Sequence, residues 1–155
     1  MTRVRVSMVD LYVVRPAPGG MEFLVLRRSG RGRSPGAWEA VHGHLEEGEG
    51  PTDGALREMY EETGLTPASL YNLSRVEAFY LHRIDEVAMI PAFAALVPAG
   101  AAARLSDEHD QAEWLPPDEA RLRLAWPRSR RALDDTLALL AGGNAGPLED
   151  LLRVC

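Results

Sequence analysis

Residues 43–65, GHLEEGEGPTDGALREMYEETGL, constrain this chain more than any other stretch. The second half carries helix punctuation at both ends. Gly50 can act as N-cap, Pro51 suits the first helical position, and Asp53 complements the positive end of the helix dipole. Gly64 stands where a C′ glycine stops a helix. At about 100° per residue, Glu58, Glu61 and Glu62 share one arc of roughly 100°. Leu56, Met59 and Thr63 fall opposite, with Tyr60 at the border. One face can therefore dock on a sheet while the other presents three carboxylates.

Like charges three and four residues apart repel by about 0.2–0.5 kcal/mol per pair on a bare helix. Arg57 flanks the acids and cannot neutralise all three. A hard divalent cation can, because Mg²⁺ takes oxygen ligands and pairs one or two carboxylates with substrate phosphates. A lone E-x-x-E-E also fits a solvated acidic helix face, so the motif alone does not decide. The wider spacing does. Gly43, Glu49, Arg57, Glu58, Met59, Glu61, Glu62, Gly64 and Leu65 all match G-x5-E-x7-R-E-U-x-E-E-x-G-U, where U is a bulky apolar residue.

This stretch resembles the Nudix box, with no departure at a specified position. The resemblance implies an α/β fold, an α/β/α sandwich around a mixed central sheet. It also implies hydrolysis of a phosphoanhydride bond in a nucleoside diphosphate linked to another moiety, by water attack at phosphorus. Carried over residue by residue, Glu58 and Glu62 are ligands of Mg²⁺ or Mn²⁺. Glu61 is a further or water-mediated ligand, and the Gly43 carbonyl adds an oxygen. Arg57 is expected to pair with Glu49 and hold the glutamates in orientation. The base is expected among Glu62, Glu58 and Glu108.

Composition bounds the partners. The 155 residues fit one domain, 1–155, with 143–155 as a C-terminal tail. A net charge of −6 argues against bulk binding to nucleic acid, so a polyphosphate has to be met by local arginines and metal. The one cysteine, Cys155, allows no disulfide within the chain and fits a reducing cytoplasm. No apolar run approaches a membrane span, and a soluble protein, monomeric or homodimeric, is expected. The four histidines lie at scattered spacings that match no zinc pattern.

In chain order, residues 3–14 read as a strand, 16–20 as a turn and 21–28 as a second strand closing a hairpin. Arg27 and Arg28, ahead of Arg31 and Arg33, are candidates to meet a substrate phosphate. Residues 37–42 form a short strand whose Trp38 either packs or stacks on a base. Strands follow at 70–82 and 87–97, where Phe79, Tyr80, His82 and Phe93 either fill the core or line a nucleobase pocket. Residues 98–106 are a loop. Asp107–Gln111 precede a short strand, 112–115, and Glu108 in that turn is a candidate substrate-side acid. Helices are expected at 118–122 and 128–141.

For the substrate, four features resemble the branch of dATP and dihydroneopterin triphosphate pyrophosphohydrolases. They are the opening strand, the AWEAVHGHLEEGE run, Glu108-His109 before Trp114-Leu115, and Trp126 with Arg128-Ser129-Arg130. That implies a nucleoside or pterin triphosphate cut to monophosphate and pyrophosphate. Tyr80 keeps dinucleoside polyphosphates open, and ADP-ribose or a nucleotide sugar is a further alternative. A nucleotide sensor that does not cleave is expected to lack box acids, and all of them are present here.

Overall fold

The strand Met8–Ala17 (β2) sets the layering. Val9, Leu11 and Val13 point to one face of the sheet and Tyr12 and Val14 to the other, and all five are at most 2% exposed. A strand buried on both faces needs cover from both sides. On the first face, Ala55 and Met59 of the helix Pro51–Thr63 (α1) join a cluster with Val41, Leu70 and Phe93. On the second, Ala120 of the helix Pro117–Arg123 (α2) and Ala132, Leu133 and Leu140 of the helix Pro127–Leu140 (α3) pack on Tyr12 and Val14. The computed structural model describes all residues, 1–155, as this α/β/α arrangement.

The remaining strands are β1 (Arg3–Val6), β3 (Gly20–Arg28), β4 (Trp38–Glu39), β5 (Val41–His44), β6 (Ser69–Leu81), β7 (Glu86–Leu96) and β8 (His109–Leu115). The sheet is mixed. β7 runs parallel to β1 and β2 and antiparallel to β6. β2 is antiparallel to β3 and β5, and β3 is antiparallel to β4 and β8.

Four boundaries differ from the sequence expectation, each because pairing partners change there. The first strand breaks at Ser7: β1 lies on β7 alone, whereas from Met8 the chain also gains β5. The expected turn 16–20 tightens to Pro18-Gly19, since Pro16 pairs with Met21 at the sheet's end. The strand expected at 37–42 splits at Ala40, β4 pairing with β3 and β5 with β2. β8 starts at His109, earlier than the expected 112, because pairing with Arg27 and Arg28 draws polar residues into the sheet.

α1 follows its punctuation. Gly50 is extended, at φ −82° and ψ 159°. Gly64 is left-handed at φ 69°, and its N–H donates to the Tyr60 carbonyl at 2.8 Å. The tail returns to its own chain. After the 3₁₀ turn Gly146–Leu148 and the short helix Glu149–Leu152 (α4), Val154 N–H donates to Leu70 O at 2.7 Å and Leu70 N–H to Cys155 O at 2.9 Å. That covers the start of the open β6 edge. No helix is long and apolar enough to cross a membrane.

The docking of α1 has a direct test, because Met59 is fully buried and its neighbour Tyr60 is 55% exposed. Met59→Ala should cost about 2–5 kcal/mol by chemical denaturation. Tyr60→Ala should stay within about 0.5 kcal/mol of the parent. Equal losses would mean that α1 packs in another rotation.

Candidate active site

The rotation that buries Ala55 and Met59 also decides where the acids go. Glu58 and Glu62 are drawn to the seam between α1 and β5, at 8% and 1% exposure, while Glu61 stays exposed. The arc of three carboxylates is therefore split by depth. Opposite Glu58, β5 carries Gly43, and a Cβ there would lie 2.1–2.5 Å from the Glu58 carboxyl group. Only glycine leaves room for that carboxylate against the strand.

Neither oxygen of the Glu62 carboxylate has a hydrogen-bond partner. Burial, reinforced by the charges of Glu58, Glu39 and Glu108, holds this carboxyl group well above the ordinary carboxylate range. Burial also pushes Glu58 up, against the opposing pull of its hydrogen bond from Arg57. A buried acid without a partner, as Glu62 is, calls for either a proton or a cation.

Arg57 organises the other side of the cluster. Its Nε and Nη2 donate to Glu49 Oε1 and Oε2 at 2.7 and 2.8 Å, a fork on one carboxylate. Nη1 reaches Glu58 Oε1 at 2.8 Å and Glu61 Oε2 at 3.1 Å, and Nη2 also reaches the His44 carbonyl at 3.0 Å. The Arg57 bonds, with a further one from the Glu46 N–H, bring Glu49 down to about 2. The expected Arg57–Glu49 pair is thus formed. It ties the loop before α1 to the helix and to the end of β5.

The donor set fits a divalent cation. Glu62 offers two unpartnered carboxylate oxygens, Glu58 lies against the gap that Gly43 leaves, and all the available ligands are hard oxygens. No three acidic or histidine side chains already converge on one point. Arg57 holds Glu58 and Glu61 from outside while Glu62 turns inward. Glu58, Glu62 and the exposed Glu61 are the residues that would hold the ion.

The other expected residues divide into two groups. Glu108 is exposed, makes no side-chain hydrogen bond, and lies close enough for its charge to raise both Glu58 and Glu62. Arg27 and Arg28 are engaged within the protein. Arg27 Nε bonds Asp110 Oδ1 at 2.7 Å, and Arg28 bonds Glu39 Oε1 at 3.0 Å and the Arg33 carbonyl. Trp38 is half-buried, with the Arg123 guanidinium 4.6 Å above its ring. Tyr80 is 52% exposed and its hydroxyl donates to Asp85 Oδ1 at 3.0 Å, in the β6–β7 hairpin. Phe93 belongs to the core beneath α1.

Three arrangements escaped the sequence reading. Glu39 and His109, both buried, meet at 2.9 Å. Asp10, buried on β2, accepts from His42 Nδ1 at 2.7 Å and from Arg128 Nε at 2.7 Å, and these bonds outweigh burial and keep its carboxyl group low. Phe79 and Trp126 stack edge to face, 5.4 Å apart, with Arg128 4.5 Å above the Trp126 ring. A charged residue inside an apolar strand, Asp10 in VDLYVV and Glu39 in AWEAV, was the available signal.

Comparison with known proteins shows the family and agrees with the fold. The family model described as the NUDIX domain matches residues 2–136. An octanoyltransferase of Myxococcus xanthus is 37% identical over 128 residues, which span 81% of this chain and 35% of that protein. The match thus takes in about a third of that relative's length. An asymmetrical bis(5'-nucleosyl)-tetraphosphatase of Rattus norvegicus is 35% identical over 102 residues, 64% of this chain and 67% of that one. Among solved structures, an Ap4A hydrolase of C. elegans superposes with a TM-score of 0.73 at 25% identity, over 87% of this chain and 97% of that chain. The dihydroneopterin triphosphate pyrophosphohydrolase of E. coli superposes with a TM-score of 0.69 at 22% identity, over 89% and 99%.

Two outcomes test the site. Arg57→Ala should lower both the melting temperature and turnover, since Glu49, Glu58 and the His44 carbonyl all lose their donor. An unchanged melt would remove Arg57 from its supporting role. Glu62→Gln should raise the melting temperature of the metal-free protein near pH 7 and leave it unchanged near pH 4. The sign follows from linkage. A carboxyl group raised on folding contributes stability that is fully present below its unfolded value of 4.5, and that is lost as pH rises through the folded value. Glutamine cannot ionise and escapes the loss. A variant less stable at pH 7 than at pH 4, relative to the parent, would contradict the burial of the Glu62 charge.

Proposed function

Because the chain belongs to the Nudix family, we propose that it is a pyrophosphohydrolase using Mg²⁺ or Mn²⁺ to cleave a phosphoanhydride bond of a nucleotide-like substrate. The observation that carries this reading is the buried, unpartnered Glu62 carboxylate beside Glu58 at the Gly43 gap. Glu58 and Glu62 hold the cation, with Glu61 and the Gly43 carbonyl as further oxygen donors. The cation supplies charge relief at the polyphosphate. Arg57 keeps the glutamates in orientation through its bonds to Glu49, Glu58 and Glu61.

Water attacks phosphorus, the P–O bond of the bridge breaks, and the attacking water gives up a proton. Among Glu58, Glu62 and Glu108, we assign that proton to Glu108. It is the one carboxylate of the three that neither Arg57 nor burial engages. Arg27 and Arg28, at the end of β3, would meet the phosphates only by exchanging their present partners, Asp110 and Glu39.

On the substrate, the Glu108-His109, Trp114-Leu115 and Trp126 features support a (d)NTP or pterin triphosphate, cut to monophosphate and pyrophosphate. The half-buried pair Phe79–Trp126 offers an aromatic edge for a ring. A second reading, a dinucleoside polyphosphate, is favoured by the rat and worm relatives, which are named for that activity.

A panel of dATP, the other nucleoside triphosphates, dihydroneopterin triphosphate, ADP-ribose and diadenosine tetraphosphate, each with Mg²⁺ and with Mn²⁺, tests the proposal by product chromatography. Pyrophosphate from a triphosphate is the expected result, abolished by chelator. Cleavage of the dinucleotide alone would establish the second reading. Tight binding without turnover under either metal would replace both with a nucleotide sensor.

A further inference from the structure

We propose that the buried Glu39–His109 pair is a positioning device that sets Glu108 beside the Glu58–Glu62 carboxylates. The proposal rests on the hydrolase reading above for the role of Glu108. It concerns how that residue is held.

β8 meets β3 irregularly at this point. Arg27 pairs with Gln111 but Arg28 pairs with His109, so Asp110 is an extra residue in β8. A bulge of this kind releases a strand end from its ladder and re-aims the side chains around it. The links that remain in the preceding turn are exposed. Ser29 N–H donates to Glu108 O at 2.9 Å, Ser29 Oγ to Asp107 O at 2.7 Å, and Arg31 pairs with Asp107 at 3.2 Å. Exposed polar and ionic links hold a turn weakly.

His109 supplies the buried anchor. Its side chain is fully buried, and its Nε2 lies 2.9 Å from Glu39 Oε1, the oxygen that also takes Arg28 Nη1 at 3.0 Å. Glu39 belongs to β4, just ahead of β5, and its charge acts on Glu62. The anchor therefore ties the start of β8 to the strand leading into Gly43. His109 is the first residue of β8 and Glu108 is the last of the turn before it, so the buried ring fixes the chain one residue from the exposed Glu108.

A purely structural role would be served as well by an apolar pair, since replacing both partners of a buried hydrogen bond by apolar groups of the same shape is often nearly neutral for stability. What an apolar pair lacks is direction. The hydrogen bond fixes the ring against β4, and misplacement by about 1 Å can cost roughly 100-fold in rate.

His109→Leu, which keeps bulk and removes the bond, and His109→Gln, whose amide can replace Nε2–H, separate position from packing. His109→Leu should lower kcat by roughly 10- to 100-fold with KM little changed. His109→Gln should recover most of the loss. In a Glu108→Gln background, His109→Leu should cost nothing further, because the anchor acts through Glu108. Equal losses in the two His109 variants, or a full further loss in the Glu108→Gln background, would overturn the proposal. Should His109→Leu fail to fold, Glu39→Leu, which removes the acceptor, takes its place in the same cycle. A second readout needs no turnover. In the metal-free protein, amide exchange should rise in residues 106–110 of His109→Leu and stay unchanged in α1. Exchange that rises throughout, or nowhere, would also overturn the proposal. If the parent cleaves nothing in the panel, the hydrolase reading fails, while amide exchange still decides whether the clamp exists.

Discussion

The guanidinium of Arg57 is the contact on which the local architecture depends. Five donated bonds leave it, to Glu49 twice, to Glu58, to Glu61 and to the His44 carbonyl. Its planar fork satisfies one carboxylate completely and still reaches two more, which an ammonium could not do with the same geometry. Without it, the loop 45–50 has no charged tie to α1, and Glu58 has no cation near it within the protein. Glu62 is different. It lies on the inward side, beyond Arg57, and its two oxygens have no partner. The fold neutralises the outer acids itself and leaves the innermost one for something else.

That division follows from the strand under the helix. β5 is four residues long, and its alternation sends Gly43 toward α1 and His42 toward α3. At Gly43 the missing Cβ admits Glu58. At His42 the ring donates to Asp10, which also accepts from Arg128 at the start of α3. Successive residues therefore serve the acidic seam on one face and a closed charged brace on the other. The brace is fully paired and fixes β5 between β2 and α3, as a buried polar network does when every member is satisfied. A rigid strand then faces a seam whose charges are not balanced.

Much of this was legible in the sequence, and the reasons are local. α1 announced itself because Pro51 has a fixed φ suited to a first turn and Gly64 tolerates the left-handed conformation that ends a helix, and the structure places both, with Gly50 ahead of them, as expected. The Arg57–Glu49 pair was implied by the resemblance to the Nudix box, and it is formed. The depth of the acids was not legible: helical periodicity put Glu58, Glu61 and Glu62 on one polar arc, and only docking on β5 showed that two of them are buried. The start of β8 was missed because Asp107–Gln111 is polar, and its pairing with β3 is a contact between residues about 80 positions apart. The Glu39–His109 and Asp10–Arg128 pairs lie beyond any local pattern for the same reason.

The missed pairs share a property that explains where they are. Each joins an element of the sheet near β5 to a segment that arrives late in the chain, β8 for His109 and α3 for Arg128. Apolar packing alone would hold these segments against the sheet with little preference between nearby positions, since hydrophobic burial has no direction. Hydrogen bonds to buried carboxylates do have direction, and leaving one unmade exacts a desolvation penalty of about 1–3 kcal/mol or more for a charged group. Late segments anchored in this way can settle only where the early strands have already placed Asp10 and Glu39. The acidic seam is thereby framed by positions that β2 and β4 determine, although the residues exposed around it, Glu108 among them, come from the far end of the chain.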